Sequence, residues 1–305
     1  MAIQYLPYDR IDKIKWDACI GNAANGLIYG YSFYLDAMSK HWDGLVLNDY
    51  EAVMPLTWNR KYFISYLYQP PFTPCLGVFG NSVDAILLKS FLDAVPRHFK
   101  FWEISLNPQN AFPLNHYNLQ YRKNLILPLN KNYETLYAGY RDNIKRNIRK
   151  SVQSGNPVRT AIPVEEVIAL SKIQLAGFSK ISDAELGRFK KLYEFLLAKG
   201  QATTYGVYTK LNELMASAVF FYSHGRAYYI LVGNHPNSKT NGASHALIDA
   251  FIKDHAGKNI ILDFEGSDMQ RLAFFYSSFR AAEEQYVSLR VNRLPFWLKW
   301  TKDKL

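Results

Sequence analysis

Two stretches of this chain spell one order of elements, and that repetition limits what it can fold into more than any single residue does. In the later stretch, Ala216–Tyr222 and Ala227–Gly233 are nearly unbroken apolar runs joined by Ser223-His-Gly-Arg226, whose composition is that of a turn. Both runs read as buried strands. The polar loop Asn234–Asn241 then opens a helix in which Ala243, Ala246, Leu247, Ala250 and Phe251 recur at the spacing of one apolar face, with Asn241 as the expected N-cap. A strand over Asn259–Phe264 follows, then a short helix from a capping box at Ser267–Gln270 to Phe279, and an alternating strand over Tyr286–Val291.

The earlier stretch repeats this order as far as its last strand: Gly44–Asn48, Ala52–Thr57, Tyr62–Tyr68, a loop, a helix over Val83–Val95 and the strand Phe101–Leu106. The expected fold class is therefore α/β (α+β): two domains, each a mixed, largely antiparallel sheet flanked by helices, with a cleft between them. Residues 1–130 and 131–292 are the expected domains, and 293–305 a tail that Phe296, Trp297 and Trp300 dock back on the body. The loops before the two helices differ. Gln69–Cys75 holds three prolines and few backbone donors, whereas Lys239-Thr-Asn-Gly-Ala-Ser244 enters a helix. An anionic group is therefore expected on the second copy, at Lys239, Asn241, Gly242, Ala243 and Ser244, although Gly242 reads equally well as an ordinary loop glycine.

With 305 residues, 49% apolar and 15% aromatic, the chain can fill a substantial core. The first residues lack the charged and apolar regions of a signal peptide, and no apolar run reaches the ~18 residues of a membrane span, so cytoplasmic residence is expected. Cys19 and Cys75 are too few for a metal knuckle or a disulfide framework, and the histidines show no HExxH spacing; no metal is expected. A net charge of +10 suggests phosphates, nucleic acid, an acidic carrier protein or an anionic membrane surface as partners. Much of the excess falls on one expected helix, Tyr133–Ser154, where Arg141, Lys145 and Arg149 share a face opposite Leu136, Tyr140, Ile144 and Ile148. That face is either simply solvated or a platform for a phosphate or polyanion. A second basic cluster, Arg290, Arg293, Lys299, Lys302 and Lys304, lies in and before the tail. An RNA-binding module would suit the charge, but no RRM, KH or C₂H₂ signature occurs.

Strand, hairpin, strand, loop, helix, strand, helix, strand is the order of the GNAT acyltransferase fold, and its tandem use resembles the Fem-type peptidyltransferases and their relatives. Arg141-Asp-Asn-Ile-Lys-Arg-Asn-Ile-Arg-Lys150 with Ser154-Gly155 is similar to the basic helix at the head of the second Fem domain. Leu262-Asp-Phe-Glu-Gly266 followed by Leu272–Phe279 is similar to that family's aspartate-bearing strand and aromatic-rich helix. The resemblance implies two GNAT-like domains and an N-acyltransferase, moving an acyl or aminoacyl group from a phosphate-bearing donor to an amine acceptor. Acyl-CoA, acyl carrier protein and aminoacyl-tRNA stay open as donor, with no covalently bound cofactor. Lys239–Ser244 departs from the Arg/Gln-x-x-Gly-x-Gly/Ala of acetyl-CoA enzymes, and Tyr276 stands where Fem-type members often carry a lysine. The competing expectation is a noncatalytic protein that keeps the architecture and binds a ligand or partner.

Acyl transfer to an amine needs an oxyanion site, a proton acceptor and two substrates held in line. The end of the Ala227–Gly233 strand is the expected oxyanion donor. Asp263 and Glu265 flank Phe264, so the period of a strand puts them on one face, where they would share general-base duty or bind the amine, their repulsion raising one pKa. They read equally as helix caps or partners of Arg271. Tyr228, Tyr229 and Tyr276 are candidates to protonate a leaving group, Tyr276 foremost, with Tyr228 also assigned to substrate binding; most of the 22 tyrosines must simply pack. His235 and His245 are weaker candidates.

Overall fold

A computed structural model of the protein describes residues 2–115, 117–175, 181–266 and 268–294, without the side chains of Leu175, Lys239 and Thr240. Ser267 and the tail aromatics and lysines beyond Leu294 therefore lie outside the described residues. Apart from short 3₁₀ turns, the elements run β1 (Ile3–Leu6), α1 (Lys13–Asn22), α2 (Ser32–Met38), β2 (His41–Leu47), β3 (Ala52–Lys61), β4 (Ile64–Leu67), β5 (Phe79–Gly80), α3 (Ala85–Ala94), β6 (Phe99–Leu106) and β7 (Asn118–Pro128). They continue with α4 (Tyr133–Gly139), α5 (Asp142–Gln153), β8 (Val158–Thr160), α6 (Val164–Leu175), α7 (Asp183–Ala198), β9 (Ala202–Tyr208), β10 (Leu214–Ser223) and β11 (Arg226–Asn234). The last are α8 (Ser238–Asn241), α9 (Ala243–His255), β12 (Ile261–Asp263), α10 (Gln270–Ser277) and β13 (Ala282–Asn292). Two compact units result: Met1–Arg122 with the chain from Gln285 on, and Lys123–Glu284.

In the first unit the sheet order is β1-β2-β3-β4-β6-β13, with β5 beside β3. Its strand pairs are antiparallel except β4 with β6. Leu88, Phe91 and Leu92 of α3 pack on one face against Met54, Leu56, Trp102 and Leu106, together with Val287 and Leu289 of β13. On β2, Gly44 admits the Trp16 ring, which a Cβ would meet at 2.6 Å. The indole is fixed by donating to the Gly30 carbonyl at 2.8 Å. Cys75 is buried and Cys19 half-buried.

The second unit orders its strands β7-β12-β11-β10-β9-β8, with β11 and β12 parallel and the other pairs antiparallel. Alternation along β10 serves two helical layers: Phe220 stacks on Phe251 of α9 at 3.8 Å, and Phe221 on Phe189 of α7 at 5.4 Å. Gly206, Ser217 and Gly233 form one row across three strands. A Cβ on Gly233 would stand 2.7 Å from the Ser171 amide nitrogen, so the missing side chain lets α6 lie directly on the sheet. Both units thus carry three antiparallel strands, a helix and a fourth strand parallel to the third; in the second unit the first of these, β9, precedes the stretch read as the later copy.

Three local expectations are corrected. The helix expected over Tyr133–Ser154 is two helices, because Tyr140 and Arg141 are extended. Groups that a continuous helix would satisfy find other partners: Arg280 donates to the Gly139 carbonyl at 2.8 Å, Lys145 to that of Ala138 at 2.9 Å, and the Arg141 amide to Ser278 at 3.0 Å. The N-cap of α10 is Met269, with no side-chain bond, so the capping box does not start this helix. The alternating strand expected to close the second domain, within β13, pairs instead with β6 from Val287 to Asn292. Each unit therefore ends its parallel pair on a strand from beyond its own repeat: β13 on β6, and β7 on β12.

A fragment of residues 1–130 should accordingly fail to fold alone. It lacks Val287 and Leu289, whose burial contributes about 3–6 kcal/mol at roughly 1.5–3 kcal/mol each, a large share of the ~5–15 kcal/mol that holds a domain together. Amide resonances dispersed as in the full chain would refute this.

Candidate functional site

Strand β11 pairs with β10 along its whole length but with β12 only at Arg226↔Ile261, Ala227↔Leu262 and Tyr228↔Asp263. The β10 register jumps from Val219↔Leu231 to Phe220↔Tyr229, which makes Ile230 a bulge and bends β11 just where β12 leaves it. Beyond Asp263 the chain turns toward β7: the Phe264 amide donates to the Leu125 carbonyl at 3.0 Å, and Glu265 and Gly266 have φ of 64° and 82°. From Tyr229 to Asn234, the edge of β11 away from β10 has no strand partner among the described pairings.

A buried ionic cluster stands at the point of parting. Arg226 donates to Asp263 at 2.7 Å and to both oxygens of Glu284 at 2.6 and 2.9 Å, while the Asn124 amide donates to Asp263 at 2.9 Å. The side chains of Arg226, Asp263 and Glu284 are 15%, 7% and 18% exposed. Burial pushes the Asp263 carboxyl above its ordinary range, against the pull of Arg226. Burial alone would lower the Arg226 guanidinium, but its Glu284 bond and the two carboxylate charges raise it further. Asp263 also accepts from the Glu265 amide at 3.0 Å, and Asn124 from that of Gly266 at 2.6 Å, so the cluster shapes the turn after β12.

The expected face shared by Asp263 and Glu265 is thereby corrected: strand alternation stops at Asp263, and the positive φ of Glu265 redirects its side chain. Asp263 faces Glu284 and Arg226 rather than Glu265 or Arg271. Tyr276 is buried, stacked on Phe264 at 4.4 Å and edge-on to Tyr229 at 6.3 Å. Burial and then the charge of Glu265 hold its hydroxyl pKa above the usual value, so it stays protonated. Tyr228 is fully buried. His245, on the first turn of α9, lies edge-on to Phe275 at 5.0 Å, and burial lowers its pKa to about 4. Its Nδ1 has no hydrogen-bond partner among the described residues. His235 sits in the preceding loop, 3.6 Å from Glu213.

The start of α9 is internally engaged. A Cβ on Gly242, whose φ is 71°, would meet the Asn147 carbonyl of α5 at 2.1 Å, so this glycine serves a close backbone approach. The Asn241 side chain accepts from the Ala243 amide at 3.1 Å, Ala243 is wholly buried, and the Ser244 hydroxyl donates to Asn234 at 2.5 Å. Asn241 therefore bonds the helix start as expected, although the N-cap position is Gly242. The Lys239 side chain is outside the described residues. These contacts do not fit a pyrophosphate cradle at Asn241–Ser244. Over them lies α5, with Ile144 and Ile148 buried as expected. Arg141 stacks on Phe274 at 4.9 Å and Lys145 bonds α4, whereas Arg146, Arg149 and Lys150 are exposed with no ion-pair partner among the described residues.

Arg226, Glu284 and Asn124 were not legible as site residues. Arg226 ends a turn sequence, and its partners are far away along the chain. Replacing Arg226 by Met should cost about 3–5 kcal/mol in urea unfolding, because buried Asp263 and part-buried Glu284 lose their cation. The native variant then holds protons that its unfolded chain releases, so its stability should rise as pH falls below neutral, more steeply than that of the wild type. A loss under about 1 kcal/mol, the value of an exposed pair, would contradict the assignment.

No protein-family profile and no curated protein matches this sequence. Among solved structures, FemX aligns over 100% of both chains with a TM-score of 0.63 at 11% identity. A conserved protein of unknown function from Bacteroides thetaiotaomicron VPI-5482 aligns over 91% of this chain and 96% of its own, with a TM-score of 0.59 at 11% identity. L-PGS from Bacillus licheniformis aligns over 83% and 85%, with a TM-score of 0.52 at 10% identity. The chain therefore has the mixed α/β fold of FemX.

Proposed function

We propose that this protein is an N-acyltransferase, transferring an acyl or aminoacyl group from a phosphate-bearing donor to an amine. The observation that carries the reading is the parting of β11 and β12 after Tyr228 and Asp263. It frees a bulged strand edge whose amides suit the developing oxyanion. The amine attacks the acyl carbonyl, a C–N bond forms, and the bond from carbonyl carbon to donor breaks. Glu265, rather than the thrice-bonded Asp263, takes the amine proton, and Tyr276 protonates the leaving group. Asp263 positions the Glu265 turn through its backbone, and Tyr228 backs the strand edge.

Arg149, with Arg146 and Lys150, meets the donor's phosphates, while Arg141 and Lys145 hold α5 in place. In this reading the repeated β-β-β-α-β order is a tandem pair of GNAT-like domains. Acyl-CoA, acyl carrier protein and aminoacyl-tRNA each offer suitable phosphates, and the engaged start of α9 makes coenzyme A the least supported. That same engagement favours a second reading, a noncatalytic binding protein on the same architecture.

Thermal-shift measurements with coenzyme A, acyl-CoAs, acyl carrier protein and charged tRNA should single out the donor, since a ligand that binds only the native state raises Tm. With that donor and an amine acceptor, Glu265→Gln should lower kcat about 100-fold, as removing a general base does, and leave Tm nearly unchanged. Asp263→Asn should lower both. If Glu265→Gln keeps more than about a tenth of kcat, Glu265 is not the base; binding without transfer would support the second reading.

A further inference from the structure

The β3–β4 hairpin turns on two residues, Tyr62 and Phe63, enclosed by the pair Lys61↔Ile64. Both are left-handed, with φ of 47° and 64°. A two-residue turn of this kind favours Asn-Gly, and bulky side chains are rare there because Cβ crowds the backbone. The aromatics gain no burial in return: Tyr62 is 78% and Phe63 90% exposed. A strained turn whose apolar rings face water points to something outside the molecule.

The neighbouring charges indicate what that is. Arg60 lies over the Phe63 ring and Lys61 over the Tyr62 ring, each 5.6 Å from the centroid. Strand register gathers further cations at this end of the first unit's sheet. There β2 begins opposite Trp58, β6 begins beside Ser65, and β13 ends opposite Phe101. Lys40, Arg97, Lys100 and Arg293, which flank those strand ends, are all exposed. Asp93, upstream of Arg97, is engaged by Lys89 and Tyr117. Apolar rings at the apex of a finger, with cations behind them, match a bilayer's layering of acyl boundary and anionic headgroups.

We infer that the β3–β4 finger docks the protein on an anionic lipid bilayer, Tyr62 and Phe63 entering the interface while the cations meet headgroup phosphates. Among the described residues no helix is long and apolar enough to cross a membrane. The inference does not depend on the acyltransferase reading.

The test is co-sedimentation of the full-length protein with phosphatidylcholine vesicles, with and without a third of phosphatidylglycerol. Binding should require phosphatidylglycerol and weaken with added salt. Arg60→Ser with Lys61→Ser should weaken it about thirtyfold, the product for two cations at the surface. Tyr62→Asn with Phe63→Gly should weaken it at least about tenfold, yet raise Tm, because the turn then has its preferred residues. If that pair melts early, Phe63→Ser alone carries the test on a turn otherwise intact. Binding indifferent to phosphatidylglycerol, or unchanged by both aromatic variants, overturns the proposal. So does a concentration-dependent doubling of mass abolished by Phe63→Ser, which would make the finger a contact between two copies of the chain.

Discussion

One guanidinium organises the second unit. Arg226 opens β11, and its bonds fix the end of β12 at Asp263 and the head of β13 at Glu284; Asn124 adds β7 to the same knot. A parallel pair that parts in mid-sheet gives up ladder bonds, so something must define where the parting begins. Here it is a cation facing one buried and one part-buried carboxylate, with amide donors from Asn124 and Glu265 offsetting the surplus negative charge. Such a cluster contributes less stability than well-packed apolar groups would; what it supplies is a fixed direction for the strands and for the turn bearing Glu265.

Much of the architecture was legible because it rests on local periodicity. The apolar runs of β10 and β11, the face of α9 and the buried stripe Leu136, Tyr140, Ile144 and Ile148 all appear where hydrophobic spacing places them. Most of the misreadings share a cause, since they needed knowledge of a distant partner. The break at Tyr140–Arg141 depends on Arg280 and Ser278, and the packing of Gly242 depends on Asn147. Asp263 and Glu265 obey strand period in sequence, but the turn at Glu265 and Gly266 combines a local bond from the Glu265 amide to Asp263, as in an Asx-turn, with a bond from Gly266 to distant Asn124. The cluster residues 124, 226, 263 and 284 lie in four separate segments. No window of sequence holds two of them as a motif.

The close approach of α5 to the start of α9 also changes how an anion would be held. Backbone amides at a helix start bind a phosphate by geometry, whereas in the proposed reading Arg146, Arg149 and Lys150 would do so through long, mobile chains. Recognition by such side chains tolerates varied phosphate spacing and weakens with salt, which suits an extended polyanion better than a single compact group.

The placement of β13 on β6 carries a consequence for biosynthesis. Everything else in the first unit has left the ribosome by Arg122, but its last strand follows Glu284. At translation speeds of about 5–20 residues per second, that separation leaves the β6 segment without its partner, and the first unit unfinished, for roughly ten to thirty seconds. That segment is rich in large apolar residues, Phe101, Trp102, Ile104 and Leu106 among them, so the nascent chain displays a sticky, unpaired segment throughout synthesis of its second half. Demand for chaperone protection should therefore peak before release of the chain and end abruptly once β13 emerges.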